Sequence, residues 1–313
     1  MFARIASRLL TLLLVMGVIF LLIHLVPGDP VEALLGEQAS MADREALRRS
    51  LRLDLPLGQQ FADFLGGVVT GDWGTSMVRS QPVLGLMAER APATVVLALA
   101  AMAVAVAVGG VAGTWVAVLA SGIRRKAHDA RLAVWLDRLL LALLATPTFC
   151  LGPLLMLVFA IWLGWLPVSG FGGVASLILP ALTLGVGMGA HLARLLSASL
   201  QEELAADYLR TARAKGASGS RRLWHHALRN ALVPVVIIFC LQLGMVLTGT
   251  VLTEAVFGWP GLGSLLVEAL HGRDYPLVQG LLLLISLTYM AAVMLGDWLA
   301  GRLDPRLRAG AAR

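Results

Sequence analysis

Charged side chains are scarce in this sequence. Of its 313 residues, 58% are hydrophobic and only 14% are Asp, Glu, Lys or Arg, and the mean hydropathy is +0.82. Soluble domains carry about 25% charged residues. A single soluble core could not bury so much apolar surface, so we predict that the chain resides in a lipid bilayer.

Cysteine is also rare, and basic residues do not form a continuous patch. Cys150 and Cys240 both lie in apolar runs, where they are expected to pack as small hydrophobes rather than form a disulfide framework. The net charge of +6 could suggest a nucleic-acid partner. The basic residues instead form short clusters between apolar runs, as the positive-inside rule of membrane proteins requires, so we predict no nucleic-acid partner.

The residues that energy coupling or catalysis would need are missing. Neither Lys126 nor Lys215, the two lysines of the sequence, follows a glycine as the phosphate-binding P-loop requires. The apolar segments hold almost no ionisable groups, which argues against a proton relay. His225 and His226 are adjacent and would point about 100° apart on a helix, which favours surface histidines over a metal site. We therefore predict a non-enzyme, with no catalytic residue, cofactor or metal in this chain.

Long apolar segments predict an all-α, polytopic membrane protein with six transmembrane helices. The residues from Leu139 to Ala193 include no Asp, Glu, Lys or Arg, and glycines and a proline between Gly164 and Gly173 divide them into two helices. The six predicted spans are Leu9–Val26, Ala93–Ala120, Leu139–Leu163, Ser176–Ser199, Ala231–Thr253 and Pro276–Leu295.

The first apolar segment has two interpretations. Arg4 and Arg8 precede it, as in a cleaved signal peptide. Its apolar core is longer than that of a usual signal peptide, and His24–Pro27 lacks the small residues of a cleavage site. We favour a retained membrane anchor.

The distribution of Lys and Arg predicts the orientation. The basic clusters are Arg4 and Arg8; Arg124, Arg125, Lys126 and Arg131; six residues from Arg210 to Arg229; and Arg302, Arg306, Arg308 and Arg313. With an even number of spans, all of them lie on one side, so both termini are predicted to be cytoplasmic. The predicted regions are a cytoplasmic N-terminus and first helix (1–26), a periplasmic segment (27–92), a membrane core (93–300) with a cytoplasmic coupling loop (200–230), and a cytoplasmic tail (301–313).

Two further patterns predict local structure. Glycines four residues apart, Gly109 with Gly113 and Gly185 with Gly189, favour close helix packing. In the periplasmic segment, Asp43–Leu51 reads as a charged helix and Pro56–Val69 as an amphipathic one. These helices could form a platform for a soluble partner or cap the outer end of a pore, and the sequence leaves both roles open.

The loop from Gln201 to Asn230, called the elbow from here on, differs from the others. Its first half is rich in Ala, Leu, Glu and Arg and is predicted to be helical. Gly216 stands where that helix should end, and Ser218 or Ser220 can cap a second helix. The elbow is therefore predicted to be a helix–turn–helix between two spans.

The elbow resembles the coupling loop, written EAA-x3-G, of the permeases of binding-protein-dependent ABC importers. Asp207–Gly216 and His226–Leu232 are similar to the branch that carries dipeptides, oligopeptides and nickel, and to its first type of permease subunit. The general motif's glutamate is replaced by Arg210 and its first alanine by Thr211, changes that the peptide branch tolerates. Further stretches that look like this branch, in order, are Gly71–Ser76, Glu89–Thr94, Gly164–Gly170, Phe257–Gly263, Arg273–Pro276 and Leu303–Arg306.

The resemblance implies a multi-pass protein of the bacterial inner membrane that pairs with a second, homologous permease. It implies two ATPase subunits, which bind the ATP and magnesium, and a periplasmic substrate-binding protein. The residues it assigns to ATPase coupling are Asp207, Tyr208, Arg210, Thr211, Ala212, Arg213, Lys215 and Gly216.

The solute is not specified by these patterns. Peptides are favoured because the branch mostly carries peptides, nickel or another metal chelate is the alternative, and a stand-alone secondary transporter or channel is the alternative from another class. Substrate-binding residues are unknown from the sequence. Polar candidates for a pore lining are Thr146, Thr148, Thr183, Gln242, Thr248 and Thr250.

Overall fold

A computed structural model of the chain describes residues 2–25, 40–50, 53–121 and 127–303. Three of the features predicted above lie outside the described residues: the start of the periplasmic segment, the basic cluster at Arg124–Lys126, and the tail with Asp304–Arg306.

Helices make up almost all of the described chain. They are α1 (Phe2–Leu25), α2 (Met41–Ser50), α3 (Leu57–Thr70), α4 (Val83–Ala120), α5 (Ala127–Ala145), α6 (Thr148–Leu155), α7 (Val174–Ala205), α8 (Asp207–Ala214), α9 (Gly219–Arg221), α10 (Leu228–Phe257), α11 (Leu262–His271) and α12 (Tyr275–Leu303). Two π-helical stretches, Met156–Trp162 and Arg222–Ala227, continue α6 and α9. Among the described residues the only β-type pairing is an isolated bridge between Thr75 and Pro82, so the predicted all-α class is confirmed.

Within the described part of the chain, four helices are long and apolar enough to cross a membrane, and up to six spans result if each of two bent helix pairs counts as one. The four lie within α4, α7, the continuous helix from α9 into α10, and α12. In α1, the apolar part among the described residues is the shorter stretch Leu10–Leu21. The two helices predicted at Asp43–Leu51 and Pro56–Val69 appear as α2 and α3.

The third predicted span, Leu139–Leu163, is not one continuous helix. Helix α5 ends at Ala145, and the stretch Thr148–Trp162 leaves it at an angle of 103°. Pro147 has no N–H to donate and disfavours a helical conformation at Thr146, which explains the break. The Thr146 hydroxyl donates to the Ala142 carbonyl at 2.8 Å and so keeps that end of α5 hydrogen-bonded.

The helix that contains the second predicted span begins ten residues before the predicted start. Helix α4 starts at Val83 rather than Ala93 and runs through Pro92. The backbone N–H groups of Gly85 and Leu86 donate to the Pro82 carbonyl, which sets the first turn. The sequence prediction stopped at Glu89 and Arg90 because charged residues usually mark the end of an apolar span.

The chain forms two compact units, of which the first comprises residues 1–94 and 260–288. Its core joins Met16 and Ile19 of α1 to Leu283 of α12, and Phe64 and Trp73 pack against them. The ring of Phe20 lies 5.3 Å from that of Phe61. The apolar face of the amphipathic helix α3 is therefore half-buried against α1, as the amphipathic pattern predicts.

A buried carboxylate organises the loop before α4 in this unit. Asp274, only 1% exposed, accepts hydrogen bonds from the Ser76 hydroxyl and from the backbone N–H groups of Met77, Val78 and Leu277, the last three at 3.1–3.4 Å. Two stretches that carry the family resemblance, Gly71–Ser76 and Arg273–Pro276, thus meet through one side chain.

The second unit comprises residues 95–259 and 289–313, and its helices α4 and α7 meet along glycines. A Cβ on Gly109 would lie 2.7 Å from Leu192 Cβ, and one on Gly113 would lie 2.6 Å from the Ala193 carbonyl oxygen. From the other side, a Cβ on Gly185 would lie 2.6 Å from Val104 Cβ. The prediction of close packing from the glycine spacing is confirmed, because only glycine fits at these approaches.

An ion pair fixes α5 to α7 in the same unit. Arg194 Nε lies 3.1 Å from Asp137 Oδ1, with both side chains partly exposed. These residues stand just outside the long uncharged stretch that was divided into two helices from the sequence. The ion pair therefore links helix α5 to helix α7.

Replacing Gly113 with leucine should destabilise the protein by about 1–3 kcal/mol, because the side chain would overpack the contact with α7. Gly110→Leu is the matched control, since Gly110 is exposed on the same helix and a Cβ there meets nothing within 4 Å. Thermal unfolding in detergent measures both. Equal melting temperatures for the two variants would contradict the assigned helix contact.

Replacing Asp274 with asparagine should cost about 1–3 kcal/mol, because an amide NH₂ would then face N–H donors that lose their acceptor. The control is Glu268→Gln, which breaks the ion pair between Glu268 and Arg79, whose side chains are partly exposed. Such pairs contribute about 0–1 kcal/mol. Limited proteolysis of the loop 75–82 should reveal the first change and not the second.

Candidate functional site

The elbow folds as the sequence predicts. Ala206 is extended and separates α7 from α8, and Gly216 follows α8 with φ of 86°. The backbone N–H of Ala217 donates to the Ala212 carbonyl and that of Gly216 to the Arg213 carbonyl, both at 3.0 Å. This pattern is a Schellman motif, which needs a left-handed residue at the position of Gly216.

A serine cap starts the second arm of the elbow. The hydroxyl of Ser218 accepts a hydrogen bond from the backbone N–H of Arg221 at 3.3 Å, so the cap predicted at Ser218 or Ser220 is found at Ser218. The arm then runs without interruption through the π-helical turn into α10. The second arm is therefore a direct extension of α10, whereas the first arm, α8, is joined to α7 through the extended Ala206.

One buried leucine anchors α8 to those helices. Leu209 is 1% exposed and belongs to an apolar cluster with Leu200 of α7 and with Leu223 and Ala227 of the second arm. Ala212 packs against the edge of the cluster. Burying a leucine side chain contributes about 1.5–3 kcal/mol, which is enough to hold a helix of two turns in place.

A polar triad adds a second attachment. The Tyr208 hydroxyl donates to a carboxylate oxygen of Glu203, and the Asn230 side-chain amide donates to that carboxylate at 3.3 Å and to the Tyr208 oxygen at 3.2 Å. Burial and the neighbouring Glu203 raise the pKa of Tyr208 to about 12, so its hydroxyl keeps its proton at physiological pH and continues to donate. The triad links the end of α7, helix α8 and the start of α10.

The residues predicted to couple to an ATPase surround this anchor on the solvent side. Ala212 is half-buried, and the other seven are exposed: Asp207, Tyr208, Arg210, Thr211, Arg213, Lys215 and Gly216. Arg210 and Asp207 approach to 3.4 Å, but both side chains are largely exposed. Such an exposed ion pair contributes about 0–1 kcal/mol to stability, so both side chains remain able to contact a partner protein.

A concave surface of about 400 Å³ lies beside α8. Its lining includes three basic side chains, Lys215, Arg221 and His226, together with Tyr208 and Thr211. No acidic residue contributes to the described lining, so the concavity complements a negatively charged group. The sequence analysis did not assign Arg221 or the triad partners Glu203 and Asn230, because their roles come from contacts between helices. His225 and His226 are exposed beside arginines, as predicted.

Three of the six pore candidates line one cavity of the second unit. Thr146, Thr148 and Gln242 surround a space of about 430 Å³ together with His191, for which the sequence favoured a role in core packing over one in lining a path. Thr183 instead donates to the Leu179 carbonyl within α7 and is buried, and Thr250 is also buried. The side chain of Thr248 lies outside the described residues.

Family models and curated relatives match the chain almost from end to end. Residues 109–309 match the model described as "Binding-protein-dependent transport system inner membrane component", and residues 1–98 match the model for the N-terminal part of such membrane components. The chain is 42% identical to the glutathione transport system permease protein GsiC of Pectobacterium atrosepticum and 39% identical to that of Escherichia coli K12. Each alignment spans 309 residues and 97% of both proteins.

Two solved structures share the fold. The chain is similar to a chain of the inward-facing MetNI methionine ABC transporter, with a TM-score of 0.58, 17% identity, and coverage of 71% of this chain and 97% of that one. It is also similar to a chain of an amino acid ABC transporter, with a TM-score of 0.50, 13% identity, and coverage of 71% and 94%. By sequence and by fold, the chain belongs to the family of inner membrane components of binding-protein-dependent transport systems, the permeases of ABC importers.

Proposed function

We propose that this permease imports small peptides of two to a few residues, a class that includes the tripeptide glutathione. The observation that carries the proposal is the 42% identity, over 97% of the chain, to a permease named for glutathione transport. The apolar cavity with a few polar groups supports it, since peptides offer both apolar side chains and polar amides.

We assign the chain six membrane spans, with both termini and the elbow in the cytoplasm and residues 27–92 in the periplasm. Residues 93–300 then form the permease core, between the anchor region 1–26 and the tail 301–313. The basic side chains exposed on the elbow, Arg210, Arg213 and Lys215 among them, support this orientation. The four continuous helices and the bent pair of α5 and α6 supply five of these spans. Helix α1, with its apolar stretch Leu10–Leu21, supplies the sixth.

In this assignment a second permease completes the pore, two ATPase subunits supply the energy, and a periplasmic binding protein delivers the peptide. The chain itself performs no chemistry, and ATP and magnesium bind to the ATPase subunits. Residues 207–216 dock on an ATPase, and the basic concavity receives an acidic group from it.

The anchoring of α8 suits it to transmit force. Leu209 and the Tyr208 triad connect the docked helix to α7 and α10 together. A displacement of α8 by the ATPase would therefore move both long helices as a rigid body, which alternating access requires.

Reconstitution of the chain with its companion subunits tests the proposed function. ATP-dependent uptake of labelled di- or tripeptides into liposomes is expected when the binding protein is present. Uptake of nickel chelates without peptides would contradict the peptide assignment. Transport by this chain alone would contradict the dependence on an ATPase.

Replacing Gly216 with proline should leave the protein inserted but uncouple peptide uptake from ATP hydrolysis. Proline requires φ near −65°, which is incompatible with the observed 86°, and the end of α8 would be displaced. Gly216→Asn is the matched control, because asparagine tolerates a left-handed conformation and should retain most of the coupling. The measurement is uptake per ATP hydrolysed. Normal coupling in the proline variant would remove the elbow from the mechanism.

A further inference from the structure

The cavity that Thr146, Thr148, His191 and Gln242 share is built from three parts of the second unit: the break between α5 and α6, the middle of α7 and the middle of α10. Its volume of about 430 Å³ falls within the usual range of small-molecule sites. The remaining lining is mostly aliphatic and methionine side chains. A mostly apolar space with a few polar groups is typical of a ligand site.

Gln242 is the unusual residue of this lining. Its side chain is 93% buried, and its Nε2 lies 3.3 Å from both the Met188 carbonyl oxygen and His191 Nδ1. Its carbonyl oxygen Oε1 is buried and has no hydrogen-bond partner among the described residues. Leaving a buried amide oxygen unpaired costs about 1–3 kcal/mol, so the arrangement calls for a donor from outside the described residues.

The orientation of the amide is determined by its neighbours. If Gln242 were turned over, Oε1 would face the Met188 carbonyl oxygen, and two acceptors would repel each other. With Nε2 in that place, one N–H points to Met188 and the other to His191, whose Nδ1 then acts as an acceptor. His191 is thus a positioning residue that keeps Oε1 available as an acceptor.

We propose that this cavity is a peptide-contacting station on the transport path, where a small movement of the Gln242 side chain brings Oε1, which is buried in this structure, into reach of a backbone amide N–H of the solute and lets it accept a hydrogen bond. The inference rests on the proposed peptide function and adds the group that the permease recognises. A carboxylate or a phosphate has no donor for this oxygen, whereas every peptide bond without proline has one.

The test uses the complete importer in liposomes with two solutes, a tripeptide and the same tripeptide methylated on its amide nitrogens. Gln242→Met keeps the length of the side chain and removes the acceptor. Uptake of the unmethylated peptide should fall about three- to tenfold, the value of one hydrogen bond to a neutral group, whereas uptake of the methylated peptide should change less than twofold. The ratio between solutes cancels any preference of the binding protein. Met245→Leu, in the same cavity, should leave the ratio unchanged.

A second variant tests the cavity without removing a polar group. A Cβ on Gly187, which lines the cavity, would meet nothing within 4 Å, so Gly187→Leu should fold and fill the space. Uptake should fall more than tenfold with an unchanged melting temperature. Gly110→Leu, equally unobstructed but outside the cavity, should transport normally.

The outcomes separate the two proposals. Peptide uptake by the wild type with the same solute ratio in Gln242→Met would overturn the role of Gln242, and normal uptake by Gly187→Leu would overturn the cavity. Either result leaves the peptide function standing. A wild-type complex that imports neither peptide would overturn the peptide function and this inference together.

Discussion

The bilayer offers no water to an unpaired backbone group, and the rest of this structure depends on that constraint. Long helices satisfy it locally, so irregular backbone needs specific partners. At the break after α5, the Thr146 hydroxyl bonds to the preceding turn. Before α7, Ser176 accepts from the Gly172 N–H and donates to the Gly173 carbonyl. At both of these breaks a polar side chain adds a hydrogen bond to the nearby backbone.

The elbow exposes charged side chains to solvent and is nevertheless firmly attached to α7 and α10. Leu209 faces inward while the residues on either side of it face outward. This separation follows from helical periodicity over only eight residues. The hydrogen-bonded triad lies where α7, α8 and α10 meet. Tyr208 of α8 therefore contacts both Glu203 of α7 and Asn230 of α10.

The sequence was sufficient where the signal is local. Gly216 and Ser218 mark the ends of helices by their own chemistry, and the glycine spacing predicted close helix packing at positions that lie in the contact between α4 and α7. Contacts between distant residues left no such signal. Ser76 and Asp274 are separated by 198 positions, and Gln242 and His191 by 51, so no spacing rule could pair them. The bend at Pro147 was missed because hydropathy records how apolar a segment is and not its direction.

The glycine contact between α4 and α7 has a mechanical consequence. Where the glycines of one helix meet the other, backbone approaches backbone with few flexible side chains between them. Side chains can change rotamer and absorb a small movement, whereas two touching backbones cannot. Helices α4 and α7 should therefore move together as one rigid body. A movement of α7 that begins at the elbow would therefore move α4 as well. A bulky residue at this contact would loosen the packing of the two helices and weaken that coupling.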